Sequence, residues 1–322
     1  MNDQFLRHVI DLPPDLAGLR LDQALARVLP EYSRSRLQTW IASGAVQVDG
    51  CAVRGRDKVL GGERVVVDAQ FPVDTSVVAE PLDLDVVFKD RWLYVLNKPA
   101  GLVVHPGAGN RAGTLQNALL ALDPALARVP RAGIVHRLDK DTSGLLVIAR
   151  NPMVHARLVE LLAERAVGRE YLAICYGVLS GGATIDQPIG RHPRQRIKMT
   201  VRGDGREAVT HYRVEKRFRA NTLLRVQLET GRTHQIRVHL AHAGWPIVGD
   251  PLYGGRRRFP RDSSAALIGA LTEFKRQALH AAKLTLEHPH QGKALEFSAP
   301  LPADMRRLLK VLTTDASSVG RE

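Results

Sequence analysis

HRLDKDTSGLLVIAR, residues 136 to 150, sets two carboxylates and three potentially cationic side chains into nine positions and then turns wholly apolar. Leu145 to Ala149 has the composition of a buried strand. The charged residues therefore occupy a loop anchored to rigid structure, with Asp139 between Arg137 and Lys140 at its centre. DKDTSG begins like a calcium loop, but its twelfth position, where such a loop needs glutamate, is Arg150. An Asp-x-Asp phosphotransferase loop would need magnesium carboxylates further on, and no acidic pair follows at a suitable place. Cations near a carboxylate favour its ionised form, which suits a nucleophile or base and not a general acid. The same spacing also describes an ordinary salt-bridged turn.

Two other segments carry candidate chemistry. In LETGRTHQIRVHLAHAGWPIVGDPLYG, residues 228 to 254, Thr233 is placed to cap a helix that ends before Gly244, with Arg232 at its mouth and Arg237 one turn inside. An arginine facing a sheet there needs a carboxylate partner, for which Asp139 is a candidate; a solvated basic helix is the other reading. His234, His239 and His242 lack the His-Glu-x-x-His arrangement of zinc hydrolases. In GREYLAICYG, residues 168 to 177, Tyr171 begins an apolar strand, as a core residue with a tethered hydroxyl or as a ring that stacks on a base drawn out of its helix. HPGAGNRAGT lacks the glycine spacing of nucleotide-binding loops.

Towards the N-terminus, Leu19, Leu21, Leu25 and Val28 form a helical stripe, and a second helix starts at Ser33-Arg-Ser-Arg and runs through Trp40 and Ile41 to Gly44. A strand from Ala45 to Asp49, an Asp49-Gly50 turn and a return strand near Arg64 to Asp68 complete a small module. Arg34, Arg36 and Arg54 around it suit phosphate contact or a solvated basic face. The chain divides on this reading into an extension over 1–17, the module over 18–75, a linker over 76–83, a large domain over 84–313 and a frayed tail over 314–322. In the large domain strand-like runs cluster more than they alternate with helical ones, which favours an α+β fold with a mixed sheet.

Lys and Arg number 46 against 33 acidic residues, a formal charge of +13 that favours a polyanionic partner. Cys51 and Cys175 stand far apart without ligand spacing, so neither a zinc ribbon nor a disulfide framework is expected. No signal-like leader and no membrane-length apolar run is read, and a soluble cytoplasmic protein is expected.

GLRLDQALARVLPEYSRSRLQTWIASGAVQVDG resembles the small RNA-binding module named after ribosomal protein S-four. HRLDKDTSGLLVIAR, REYLAICYG and GRTHQIRVHLAHAGWPIVGDPLYG, in this order after such a module, resemble bacterial pseudouridine synthases of the large-subunit ribosomal RNA class. The resemblance implies an α+β catalytic domain with a mixed, largely antiparallel sheet flanked by helices. It implies isomerisation of uridines without metal or other cofactor, and a monomer acting on 23S rRNA or the assembling large subunit. NKPAGLVVHPGAGNRAGT and the loop RHPRQRIKMTV bring it nearest to members that act on the helix 69 stem-loop at the subunit interface. It assigns Asp139 as the catalytic carboxylate, Arg237 as its salt-bridge partner, Tyr171 to stacking and possible proton transfer, and Arg137 to the space a flipped nucleotide vacates. Arg34, Arg36, Arg191, Arg194, Arg196, Lys198 and Arg232 are expected as peripheral RNA contacts.

Overall fold

Apolar residues at helical spacing on one side and alternating along strands on the other give the N-terminal region its own small core. In the computed structural model, which describes residues 5–30, 32, 34–70, 77–107, 110 and 112–318, helices α1 (Leu21–Val28) and α2 (Arg34–Ala42) accompany an antiparallel sheet. Its strands β1 (Phe5–Asp11), β2 (Val46–Val48), β3 (Cys51–Ala52) and β4 (Arg64–Gln70) lie in the order β1-β4-β2-β3. Leu21, Leu25, Leu37, Trp40, Ile41, Val65 and Val67 fill the space between. The stretch read as an extension over 1–17 is corrected: β1 pairs along its whole length with β4, Leu6 and Ile10 packing inward while Val9 stays exposed. Period-two alternation, not composition, was the signal there. The expected helix start at Ser33 lies outside the described residues.

The larger domain is built on a nine-stranded sheet. Strands β5 (Asp85–Lys89) and β6 (Leu93–Lys98) lead to helix α3 (Leu115–Leu122), then come β7 (Ser143–Ala149), α4 (Pro152–Ala163) and β8 (Gly168–Tyr176). β9 (Ala183–Asp186) precedes a separate hairpin, β10 (Ile189–Arg191) with β11 (Met199–Val201). β12 (Val209–Arg217), β13 (Asn221–Leu228), α5 (Gln235–His242), α6 (Ala265–Glu273), β14 (Leu279–Glu287), β15 (Ala294–Ser298) and α7 (Ala303–Ser318) complete the order. The sheet runs β5-β6-β7-β14-β8-β13-β12-β9, with β15 on β14. Only β7 with β14 is parallel among its paired strands, so the sheet is mixed and largely antiparallel, as the sequence leads one to expect.

β7 is buried at every position. It is the central tether of the site, because the loop that carries Asp139 enters it directly. Its first glycine, Gly144, has φ +115°, and a Cβ there would lie 2.2 Å from the Ala281 carbonyl oxygen. The Ser-Gly step of HRLDKDTSG is thus where β7 passes against β14, and a side chain at Gly144 would separate the two strands.

Two further expectations change. Segment 77–83 is tied to α3: Asn117 Nδ2 donates to the Val78 carbonyl at 2.7 Å, and Gly113 N–H donates to Glu80 Oε2 at 2.9 Å. The tail over 314–322 is not frayed from its start, since α7 continues to Ser318 and buried Asp315 pairs with Arg219 at 3.6 Å.

Candidate active site

The Asp139 loop closes as a tight turn, Thr142 N–H donating to the Asp139 carbonyl at 3.1 Å. The next two carbonyls, of Lys140 and Asp141, are claimed from outside the loop. Lys98, at the end of β6 and almost fully buried, directs Nζ to the carbonyls of Lys140 (2.9 Å), Leu102 (2.9 Å) and Pro99 (2.7 Å). Burial pushes its ammonium down to about 7, while the charges of Asp141 and Asp139 act the other way. Three carbonyls around one Nζ match the three protons of an ammonium. Gly101 N–H adds a second bond to the Lys140 carbonyl at 2.9 Å. Arg276 Nη1 donates to the Asp141 carbonyl at 3.1 Å, and Gln277 Nε2 to Thr142 Oγ1 at 3.0 Å. Two side chains on the loop's carbonyls and a third on the Thr142 hydroxyl hold the loop without using the Asp139 carboxylate.

That carboxylate meets α5. Arg237 Nη1 donates to Asp139 Oδ2 at 2.8 Å, across a chain separation of 98 residues. The other edge of the guanidinium forks onto Asp250, Nε to Oδ2 at 2.7 Å and Nη2 to Oδ1 at 2.9 Å. Asp250 has a fully buried side chain and accepts two more bonds, from the N–H groups of Leu252 (2.9 Å) and Tyr253 (3.0 Å). The Tyr253 ring lies 5.1 Å from the centre of the same guanidinium. The ion pairs hold the charge on Arg237 well above the ordinary arginine range, so it is a permanent cation here despite its burial.

Thr233 does not cap α5. The N-cap is His234, in left-handed backbone at φ +57°, and the Gln235 side chain accepts from Arg232 N–H at 2.9 Å in its place. The conformation is unfavourable for a residue with a Cβ, by about 1 kcal/mol or more. It aims the imidazole at the site: Nε2 stands 3.8 Å from Asp139 Oδ1, and Nδ1 hydrogen-bonds the Tyr253 hydroxyl at 2.8 Å. Burial lowers the pKa of His234.

These groups face a cleft of about 370 Å³. Asp139 is its only carboxylate among the described residues, surrounded by Arg131, Arg137, Arg169, Arg232 and Arg237. Tyr171 lines the same cleft; its ring is buried, and its hydroxyl has no protein hydrogen-bond partner among the described residues. It is therefore not the tethered core tyrosine that its strand alone would allow. Burial raises its pKa, against Arg169 and with Asp139, and it remains a phenol. His136 is held neutral, pushed down to about 3 by burial and by the Arg169 charge, with Nε2 accepting from Val147 N–H at 3.2 Å.

The peripheral cations divide. Arg137 is exposed on the rim, and Arg232 Nε donates to the Glu207 carbonyl at 2.9 Å. Arg191, Arg194 and Arg196 are exposed and Lys198 is half-buried, on or beside the loop joining β10 to β11. Arg34 remains half-exposed and also serves the fold: Nη2 pairs at 2.9 Å with Asp22, a fully buried carboxylate that also takes Arg20 and Gln38. Arg36 lies half-buried on the same helix. Asp250, Tyr253 and Lys98 are site-forming residues that sequence reasoning did not single out, although all three lie inside motifs quoted for the resemblance.

Residues 92–242 match the family model described as RNA pseudouridylate synthase, and residues 19–65 that of the S4 domain. The chain is 53% identical to the ribosomal large subunit pseudouridine synthase D of Xanthomonas campestris pv. campestris, over 98% of this chain and 95% of that one. It is 52% identical to the protein of the same name from Pseudomonas aeruginosa, over 98% of each. Among solved structures, human RNA pseudouridylate synthase domain containing 4 superposes with a TM-score of 0.56 at 29% identity, covering 71% of this chain and 93% of the human one. With relatives matched over almost their whole length, and with a carboxylate, an arginine and a tyrosine gathered in one cationic cleft, this chain belongs to the RNA pseudouridylate synthase family.

Proposed function

We propose that the protein converts uridines of large-subunit ribosomal RNA to pseudouridine, with the helix 69 stem-loop of 23S rRNA as its target and Asp139 as the catalytic residue. The observation that carries this reading is a single carboxylate, fixed by Arg237, in a cleft whose other charged side chains, among the described residues, are arginines. Such a cleft draws in a phosphate backbone and leaves one group able to act on a sugar or base. The reaction breaks the bond between C1′ and N1, turns the base and joins C1′ to C5. The C5 hydrogen leaves as a proton and N1 gains one, so the overall change is an isomerisation. Asp139 acts by attack on the anomeric carbon, by attack on C6 or by removal of the 2′ proton; each is favoured by an ionised carboxylate with an oxygen that no hydrogen bond weakens.

Tyr171 stacks on the detached base and, having an untethered hydroxyl, can pass it a proton. Arg137 fills the space left by the flipped nucleotide, offsetting part of an unstacking cost of a few kcal/mol. The basic hairpin loop and the N-terminal module grip the RNA outside the cleft. We assign the protein to the cytoplasm and to a monomeric state. Carbodiimide mapping of pseudouridine in unmodified 23S rRNA, treated with the enzyme, tests the target: new stops in the helix 69 loop are expected, and stops confined to other regions would reassign it.

A further inference from the structure

Arg237 serves two carboxylates unequally. Its forked edge goes to Asp250, which is buried, accepts four hydrogen bonds and has no oxygen left over for chemistry. Asp139 receives only Nη1. Its second oxygen, Oδ1, accepts no hydrogen bond among the described residues; His234 Nε2 stands 3.8 Å from it, beyond hydrogen-bond range. A guanidinium facing one exposed carboxylate favours a fork over both oxygens. At Asp139 such a fork would draw electron density from the oxygen that must react and make it a weaker nucleophile or base.

The turn that holds Asp250 is itself registered against the Asp139 loop. Gly249 has φ +75°, and a Cβ there would come within 2.3 Å of the Arg276 carbonyl oxygen. Arg276 Nη1 donates in turn to the Asp141 carbonyl, and Gln277 holds Thr142. One short segment thus sets the distance between the two carboxylates that share Arg237. The Tyr253 ring, from the same turn, lies over the guanidinium at 5.1 Å.

We propose that Asp250 is a positioning residue for the isomerisation: by taking the forked edge of Arg237 it limits that arginine to one contact with Asp139 and keeps Asp139 Oδ1 available to react. The proposal rests on the reading of Asp139 as the reacting group. It does not require Asp250 to touch RNA.

Asp250→Asn preserves size and the acceptors for the turn but releases the guanidinium. In single-turnover assays on a labelled rRNA transcript, the chemical rate is expected to fall about 100-fold, the loss typical of a misplaced reacting group, with the half-saturating enzyme concentration unchanged. The same substitution made on Arg237→Lys should have no further effect, because lysine cannot fork and Asp250 acts only through Arg237. An equal loss in both backgrounds, or a wild-type rate in Asp250→Asn, overturns the proposal. The crystal structure of Asp250→Asn gives a readout independent of turnover: Arg237 should fork onto both oxygens of Asp139, and an unmoved guanidinium contradicts the idea even if wild type proves inactive on that transcript. Should Asp250→Asn not fold, Gly249→Ala disturbs the same turn and is expected to show the same rate loss with the same half-saturation. If the Gly249→Ala rate is unchanged, the positioning role falls.

Discussion

Arg237 and the arginines of the β10–β11 hairpin share a charge and little else. Arg237 is buried, spends three donors on two carboxylates and lies against an aromatic ring. Arg194 and Arg196 are exposed and their side chains donate to no group among the described residues, while Arg191 reaches only the Arg196 carbonyl, at 3.4 Å. The first kind of cation is a component of the fold, and its position is fixed to within the precision that bond making demands. The second kind keeps its rotamers and its hydration until a polyanion arrives, so it contributes to affinity and little to stability. The two sets touch at Tyr253, whose hydroxyl accepts from Met199 N–H at the start of β11 and also meets His234.

The contrast predicts a graded series. Lys98→Met should be the most damaging to the fold: it strips three carbonyls of one donor, and a loss of roughly 3 kcal/mol or more is expected from groups left unsatisfied, read by denaturant unfolding. A midpoint close to wild type would mean that the Asp139 loop does not depend on that tie. His136 comes next. Its pKa lies near 3 in the folded state and at its ordinary value, near 6.5, when unfolded. Between those limits the unfolded chain binds the additional proton, so stability is full above pH 6.5 and declines as pH falls towards 3, with a slope of up to about 1.4 kcal/mol per pH unit. His136→Gln should flatten that decline in thermal melts, and an unchanged slope would locate the acid sensitivity elsewhere. Smallest in stability is the triple change of Arg191, Arg194 and Arg196 to Gln. It should leave the melt unaltered and lower the slope of log affinity against log salt by about 2 to 3, one phosphate contact each. An unchanged slope would remove the hairpin from the RNA surface.

Those differences also explain what could be read without coordinates. Asp139, Tyr171 and Arg237 were singled out by the family resemblance of the motifs that hold them, and the structure gathers the three in one cleft; the α+β fold was legible in the same stretches. Asp250 was not. Asp before Pro in a Gly-Asp-Pro sequence is ordinary turn chemistry, and nothing local shows that its carboxylate is buried under an arginine thirteen residues earlier. Lys98 was hidden in the same way, since its partners are backbone carbonyls, one of them 42 residues away. β14, with the helix-favouring run LHAAKL, is a strand because neighbours on both sides supply its hydrogen bonds, a tertiary effect that outweighs local propensity. The ion pair of Arg34 was hidden for a similar reason: nothing local shows the buried Asp22 beneath its exposed helix position.

The central claim is that a carboxylate fixed by Arg237 carries out the isomerisation. It is tested most directly by tritium release from 23S rRNA labelled at C5 of uridine, comparing wild type with Asp139→Asn at equal RNA binding. Release by wild type and none by the variant is the predicted result. Appreciable release by Asp139→Asn would contradict the assignment.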